Sequence, residues 1–240
     1  MRRRDMLARA PWALLPALLP PLLPWPLHAR DTTAFEPPAG PQRFTRRLVR
    51  QLGESDRGVF TRSYDIRFDA APGGFEVTGQ QTSVEIVVPP ALERLAELER
   101  ARTDSSPFPL MLDPAGYIAS ANAPTALSDE AKQAVAMAIG MLGQRQGNDD
   151  AGAFLRNLSQ GGQAILSPLP RSLFVPGDTD VTEKREIVSG DGVPGSIAMH
   201  IRSRCASPTG LLRSLERTIV TEAGGSRRET SETFTLEAAI

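Results

Sequence analysis

Alternation of apolar and polar residues is the sequence feature that most limits how this 240-residue chain can fold. Between residues 60 and 68, Phe60, Tyr64, Ile66 and Phe68 occupy even positions, and the residues at the odd positions are polar. A period of two residues predicts a β-strand with one buried face. Similar patterns predict further strands at residues 44–52, 75–88, 181–189, 196–206, 211–222 and 227–237.

Turn-forming residues separate these strands and arrange them in two meanders. Gly and Pro recur in segments 70–74, 190–192, 207–210 and 223–225, as tight turns require. Within 75–88 the apolar residues change parity between Val77 and Val84, so the strand must contain one extra residue. We expect this bulge at Gly79, because glycine accepts the dihedral angles that a bulge needs.

Three helices are predicted between the two meanders. One begins near Pro90 and ends near residue 102, a second covers 129–142 behind a Ser128 cap, and a third covers 150–159. We also expect a short hairpin at 108–121 and a short strand near Leu173. The predicted fold is α+β, with a strongly curved antiparallel sheet or incomplete β-barrel of about 9–11 strands. Its three helices would pack on the concave face or the mouth.

The first residues have the order of a secretory signal. Four arginines precede or enter an uncharged apolar tract that ends near Leu27, and the six prolines of the tract argue against a membrane-spanning helix. We predict a cleavable signal peptide at 1–29, with cleavage after Ala34 as the alternative. A flexible leader at 30–43 and a single α+β domain at 44–240 would follow, periplasmic or secreted and without stable membrane insertion.

The residues Arg3, Arg4, Asp5, Met6 and Leu7 resemble the twin-arginine export motif. Arg2 and Ala8 replace the residues that usually flank this motif. Twin-arginine export and general secretion therefore both stay open.

Composition excludes several classes of function. Removal of 1–29 takes four arginines and one aspartate from the 27 basic and 28 acidic residues, which leaves a net charge of −4. This charge does not favour nucleic acid as a partner. Cys205 is the sole cysteine, so no internal disulfide can form. Both tryptophans lie in the signal, which disfavours a sugar-binding cleft.

Residues that would carry catalysis or bind a metal are sparse. After signal removal His200 is the sole histidine, and it shares a predicted strand face with Arg202 and Arg204. Cys205 lies on the opposite face, with the apolar Met199 and Ile201. We interpret His200 as a surface residue and Cys205 as a small core residue. No hydrolase, nucleotide-binding or metal motif is present, so we expect no enzyme activity, cofactor or metal site.

A ligand site is predicted on the helix at 129–142, which is apolar on almost every side beyond Gln133. If the sheet encloses more volume than its own side chains fill, this helix would line a cavity for an acyl chain. The alternative is that the helix only plugs the core. The candidate lining residues are Val135, Met137, Ile139, Met141 and Leu142.

Two functions follow from these expectations. The order of elements and the export signal are similar to those of periplasmic lipoprotein carriers and related half-barrels, and no motif of theirs is matched by residue. That resemblance implies a periplasmic carrier or sensor for a hydrophobic, lipid-like ligand. The alternative is a structural or envelope-assembly protein that acts through its strand edges or polar faces and binds no small molecule.

Overall fold

The computed structural model describes residues 35–52, 56–103, 106–122, 128–142, 168–188, 193–206 and 209–239, with the backbone alone at 140–142. The predicted signal peptide, its two cleavage positions and the predicted helix at 150–159 lie outside these residues. Nine strands are described: β1 (Gln42–Gln51), β2 (Arg57–Ala71), β3 (Gly74–Val87), β4 (Leu110–Leu112), β5 (Ile118–Ala121), β6 (Thr179–Val188), β7 (Pro194–Ala206), β8 (Leu211–Ala223) and β9 (Ser226–Ala238).

All nine strands belong to one antiparallel sheet, in the order β5, β4, β3, β2, β1, β9, β8, β7, β6. The pairing of β1 with β9 joins the two meanders, from Gln42 opposite Ala238 to Arg50 opposite Thr230. The described sheet is open, with β5 and β6 as its edges. The strand number agrees with the predicted 9–11. The long strands begin and end within two residues of their predicted bounds, except β2, which extends three residues beyond the predicted 60–68 at each end.

One face of the sheet, called here the inner face, carries the packed core. Phe44 of β1 stacks against Phe234 of β9 at 6.3 Å between ring centroids, and Tyr64 of β2 meets Phe108 at 5.2 Å. These four side chains are at most 2 % exposed. Their burial removes several hundred Å² of aromatic surface from water, at about 25 cal/mol per Å².

The structure describes two α-helices, α1 (Glu93–Ala101) and α2 (Asp129–Leu142), where three were predicted. Residues Pro90–Leu92 form a short 3₁₀ turn before α1. Ala96 of α1 packs on the inner face with Leu48 and Phe60, and α2 packs against α1. The Ser128 Oγ accepts a hydrogen bond from the Ala131 backbone N at 3.2 Å, which confirms the predicted cap.

The segment predicted as a flexible leader contains one core residue, Phe35, and ends in β1, while residues 39–41 between them are exposed. The Phe35 ring lies 5.4 Å from the ring of Phe75 and 6.0 Å from that of Phe68. Gly116 makes room for it, because a Cβ there would come within 2.7 Å of the Phe35 ring. Phe35 was not predicted as a core residue, because the turn-forming residues around Pro37 indicate a flexible segment.

The short strand predicted near Leu173 is wrong. Residues 171–174 form turns, in which the Leu173 N donates to Pro170 O and the Val175 N donates to Ser172 O, both at 3.0 Å. Leu173 and Phe174 are fully buried in the main core. Two successive turns thus bring adjacent side chains into the same core, which a strand cannot do.

The predicted bulge at Gly79 is also wrong. Ser83 pairs with Ser63 and Gln81 pairs with Tyr64, so Thr82 is the extra residue, while Gly79 pairs regularly with Ile66. Gly79 is required for a different reason. A Cβ at this position would lie 2.5 Å from the Phe108 ring, closer than any carbon contact tolerates.

We expect Gly79→Ala to lower the free energy of unfolding by about 1–3 kcal/mol, because its methyl group overpacks against Phe108. Urea denaturation measures this change. In the double variant with Phe108→Leu, the smaller side chain makes room, so the double variant should lose less than the two single variants together. Additive losses would contradict a direct contact between the two positions.

Candidate functional site

The structure places the predicted ligand-lining residues on different sides of α2. Val135 is fully buried with Leu92 and Leu95, and Ile139 packs beside that cluster. Met137 is 64 % exposed and lies on another side of the helix. The side chains of Met141 and Leu142 lie outside the described part of the structure. The described lining residues therefore do not meet around one volume, and their role in ligand binding stays a prediction.

The residues considered for catalysis lie on both sheet faces. The His200 Nε2 is 2.8 Å from the Asp180 Oδ1, and the Arg202 Nε donates to the Asp180 Oδ2 at 3.1 Å, all on the outer face. These hydrogen bonds lower the pKa of Asp180. Glu183 pairs with Met199 on the inner face and Glu186 pairs with Ser196 on the outer face. The two glutamates therefore face opposite sides of the sheet.

Cys205 is half-buried and pairs with the core residue Leu212. Together with Gln42 and Glu237 it lines an open cleft of about 610 Å³ at the end of β1, β8 and β9.

Among the described residues, no group of three or more His, Cys, Asp or Glu side chains is arranged to hold a metal ion. No helix in the described residues is long and apolar enough to cross a bilayer.

A buried ionic group lies in the middle of the inner face. Glu232 of β9 is 2 % exposed, Arg46 of β1 is 4 % exposed and Arg217 of β8 is 7 % exposed. The Arg46 Nε donates to the Glu232 Oε1 at 2.7 Å, and the Arg217 Nη2 donates to the Glu232 Oε2. The Arg46 guanidinium also lies over the Phe234 ring, 5.4 Å from its centroid. One carboxylate thus links three adjacent strands.

A second ionic group joins α1 to the sheet. The Arg62 Nη2 of β2 donates to the Glu99 Oε2 at 2.9 Å, and its Nη1 donates to the Gln81 Oε1 at 2.6 Å. The Arg102 Nη2 is 3.2 Å from the same carboxylate of Glu99. These contacts hold α1 over β2 and β3.

Burial and charge oppose each other at the central group. Burial raises the pKa of Glu232, but the charges of Arg46 and Arg217 and their hydrogen bonds outweigh it, so the pKa is lowered. Burial lowers the pKa of Arg46, in part against the attraction of Glu232. Glu232 therefore stays ionised at neutral pH, and both arginines are needed to stabilise this buried ionised form.

A strip of apolar side chains continues the inner face beyond this ionic group. We call Ile197, Met199 and Ile201 of β7 and Ile219 of β8 the apolar strip. Met199 pairs with Ile219, and Ile201 pairs with Arg217 of the ionic group. All four side chains are half-buried, and none belongs to a described core cluster. The helix α1 lies instead against β3, three strands beyond the β9–β8 pair.

Sequence reasoning missed the buried charges, although the alternation pattern contains a signal for them. Arg46 stands between Phe44 and Leu48 at the apolar parity of β1, and Arg62 stands between Phe60 and Tyr64 in β2. A charged residue at an apolar position must be paired when it is buried. The pairing partner Glu232 was not identifiable, because β1 and β9 are almost 190 residues apart in the chain.

We expect Glu232→Gln to lower the free energy of unfolding by about 3–5 kcal/mol, because it leaves two buried guanidinium groups without their carboxylate. Denaturant unfolding measures the loss. The matched control is Glu222→Gln, which removes an exposed pair with Arg227 on the same hairpin and should cost less than about 1 kcal/mol. Equal losses in the two variants would contradict the buried pairing.

The same variant should change the acid limb of the stability curve. Because the folded-state pKa of Glu232 lies below the ordinary value of 4.5, the native state gains stability above that pH and loses it as the pH falls through the folded-state pKa. The free energy of unfolding, measured from neutral pH to pH 3, should therefore fall less steeply for Glu232→Gln than for the unchanged protein. An unchanged slope would show that Glu232 is not a source of the acid sensitivity.

Comparisons with known proteins give no family for this chain. No protein-family model matches it, and no curated protein matches it. A solved structure that concerns lipid–protein interactions in lipovitellin aligns with 83 % of this chain and 25 % of its own chain, at 10 % identity and a TM-score of 0.30. The chain thus spans a quarter of that lipovitellin chain. A likeness at this TM-score carries no argument about fold or ligand.

Proposed function

We propose that the protein is exported and binds a hydrophobic, lipid-like ligand along the apolar strip. The observation that carries the proposal is the strip itself. Ile197, Met199, Ile201 and Ile219 form a continuous half-buried surface on the same sheet face as the core, yet outside its packed clusters. Apolar surface in this position favours the binding of an apolar partner.

The ligand would lie on the sheet and not on α2. The buried side of α2 is occupied by its contacts with Leu92 and Leu95, so Val135 has its packing partners within the chain. Met199 at the centre of the strip is suited to a flexible ligand, because its unbranched thioether adapts to irregular apolar shapes. The basic and apolar order of residues 1–29 supports an extracytoplasmic location.

We expect Ile219→Gln to weaken the binding of a fluorescent fatty acid by about tenfold or more, because a buried isoleucine contributes about 1.5–3 kcal/mol. Fluorescence titration of the purified protein measures the affinity. The control is Val220→Gln, which changes the next residue, also half-buried, on the outer face. Both variants must unfold with similar midpoints. Equal affinities for the two variants would contradict a ligand on the strip.

The second candidate function is that of an envelope-assembly protein, and the exposed edge residues of β6 favour it. Val181 is 40 % exposed and Val188 is 73 % exposed, and β6 is an edge of the described sheet. An edge strand offers backbone groups to a strand of another chain. The charged residues Lys184 and Glu186 on this strand oppose such pairing.

Mass spectrometry of the protein isolated from its own host separates the two functions. A hydrophobic-ligand carrier should release a lipid on organic extraction, whereas an assembly protein should retain a partner protein and yield an empty extract. The same spectra read the N-terminal residue, which should follow position 29 or 34 if the signal is cleaved. An intact N-terminus at Met1 would contradict export by a cleaved signal.

A further inference from the structure

The edge strand β6 has a partner strand on one side of its backbone in the described sheet. It pairs with β7 from Thr179 opposite Ser203 to Val188 opposite Pro194, and no described strand pairs with its other side. Val181 and Val188, near its two ends, are both exposed. Every second residue of an edge strand directs its backbone N–H and C=O groups away from the sheet, so β6 offers these groups to another strand.

The inner-face side chains of β6 have an order that is complementary to itself when the strand is reversed. The odd-numbered residues lie on the inner face, since Glu183 is opposite Met199 of the apolar strip. In chain order these residues are Val181, Glu183, Arg185 and Ile187. They are apolar, acidic, basic and apolar. A reversed copy of β6 therefore presents a basic residue to the acidic one and an apolar residue to each apolar one.

One register of two antiparallel β6 strands matches all four inner-face residues. In this register Glu183 of each copy lies opposite Arg185 of the other, and Val181 lies opposite Ile187. Opposite charges and apolar side chains that face each other stabilise an antiparallel pair, whereas like charges destabilise it. A shift by two residues places either Arg185 or Glu183 opposite itself. A shift by one residue places the inner face of one copy beside the outer face of the other.

The ion pairs within β6 fit the same register. The Arg185 Nη2 lies 3.7 Å from the Glu183 Oε2 of its own strand, so two paired strands would form a square of four alternating charges. On the outer face Lys184 would lie opposite Lys184 of the second copy. Its Nζ is 3.8 Å from the Glu186 Oε1 of its own strand, and Glu186 of the other strand would be its diagonal neighbour. Two carboxylates therefore offset the two facing lysines.

We propose that the protein forms a two-fold symmetric dimer in which β6 pairs with β6 of a second copy of this chain. The two sheets then form one continuous sheet, with both apolar strips on the same face. Lys184 and Glu186 disfavour an apolar partner strand, whereas the charges of a second copy compensate those of the first. This inference concerns self-association and does not rest on the ligand proposed for the apolar strip.

Sedimentation equilibrium of the purified protein at micromolar concentrations tests the dimer. We expect Glu183→Arg to raise the dissociation constant of the dimer about tenfold or more, because two pairs of opposite charges become pairs of like charges. Adding Arg185→Glu to this variant exchanges the two charges and should restore the original dissociation constant. The matched control is Glu85→Arg, which makes the same change of charge at an exposed position of β3 and should leave the dissociation constant unchanged.

The outcomes decide between a second copy and a different partner. A monomer at every concentration would overturn the proposal and leave the edge of β6 to a strand of another sequence. A dimer that Glu183→Arg does not weaken, or that the double variant does not restore, would overturn its assignment to β6.

Oxidative cross-linking tests the register. In Lys184→Cys the new cysteines of the two copies would face each other at the two-fold axis, within the Cα separation of about 4.4–6.8 Å that a disulfide requires. The control is Glu186→Cys, an exposed position on the same face that would lie opposite Thr182 of the other copy. Mild oxidation and non-reducing electrophoresis should show a covalent dimer for Lys184→Cys. The control and the unchanged protein, which has Cys205 alone, should stay monomeric. Equal cross-linking of the two variants would overturn the register.

Discussion

The buried carboxylate of Glu232 is the interaction on which the sheet depends. It lies on β9, accepts hydrogen bonds from Arg46 of β1 and Arg217 of β8, and so crosses the junction between the two meanders. Removing these charges from water costs several kcal/mol for each ion, and only close pairing offsets that cost. A shift of β1 along β9 would separate Arg46 from Glu232 and leave buried charges without compensation. The ionic group therefore fixes the register that apolar packing alone leaves less strictly determined.

This central group also divides the inner face into unequal parts. On the side of β1 to β3, α1 covers the sheet through Ala96, and Arg62 holds it there through Glu99. At the end of the sheet near Phe44, aromatic side chains fill the space between strands. On the side of β6 to β8, Leu215 belongs to the main core, whereas Ile197, Met199 and Ile201 of β7 belong to none of the described clusters. Glu183 and Arg185 of β6 lie beside them on the same face. The same alternation that builds a core on one side leaves an apolar surface on the other.

Local pattern predicted much of the fold, because strands, turns and the α2 cap depend on residues close in sequence. Phe60 to Phe68 needs only its own alternation to be a strand, and Ser128 needs only the next three residues to cap a helix. The errors come from contacts between distant segments. Gly79 is glycine because of Phe108, Phe35 is buried because of Phe75, and Leu173 lies in a turn that fits the core. None of these contacts can be predicted from the residues of its own segment alone.

The candidate site, which is the apolar strip beside the buried ionic group, illustrates the same limit. Arg50 belongs to β1, whereas Arg217 and Ile219 belong to β8, and only the β1–β9 pairing brings the arginine of the first meander to the apolar residues of the second. Burial and the charge of Arg228 lower the pKa of Arg50, and Glu232 opposes this shift. Arg50 thus lies at the junction of the two meanders, where Glu232 also holds the sheet together.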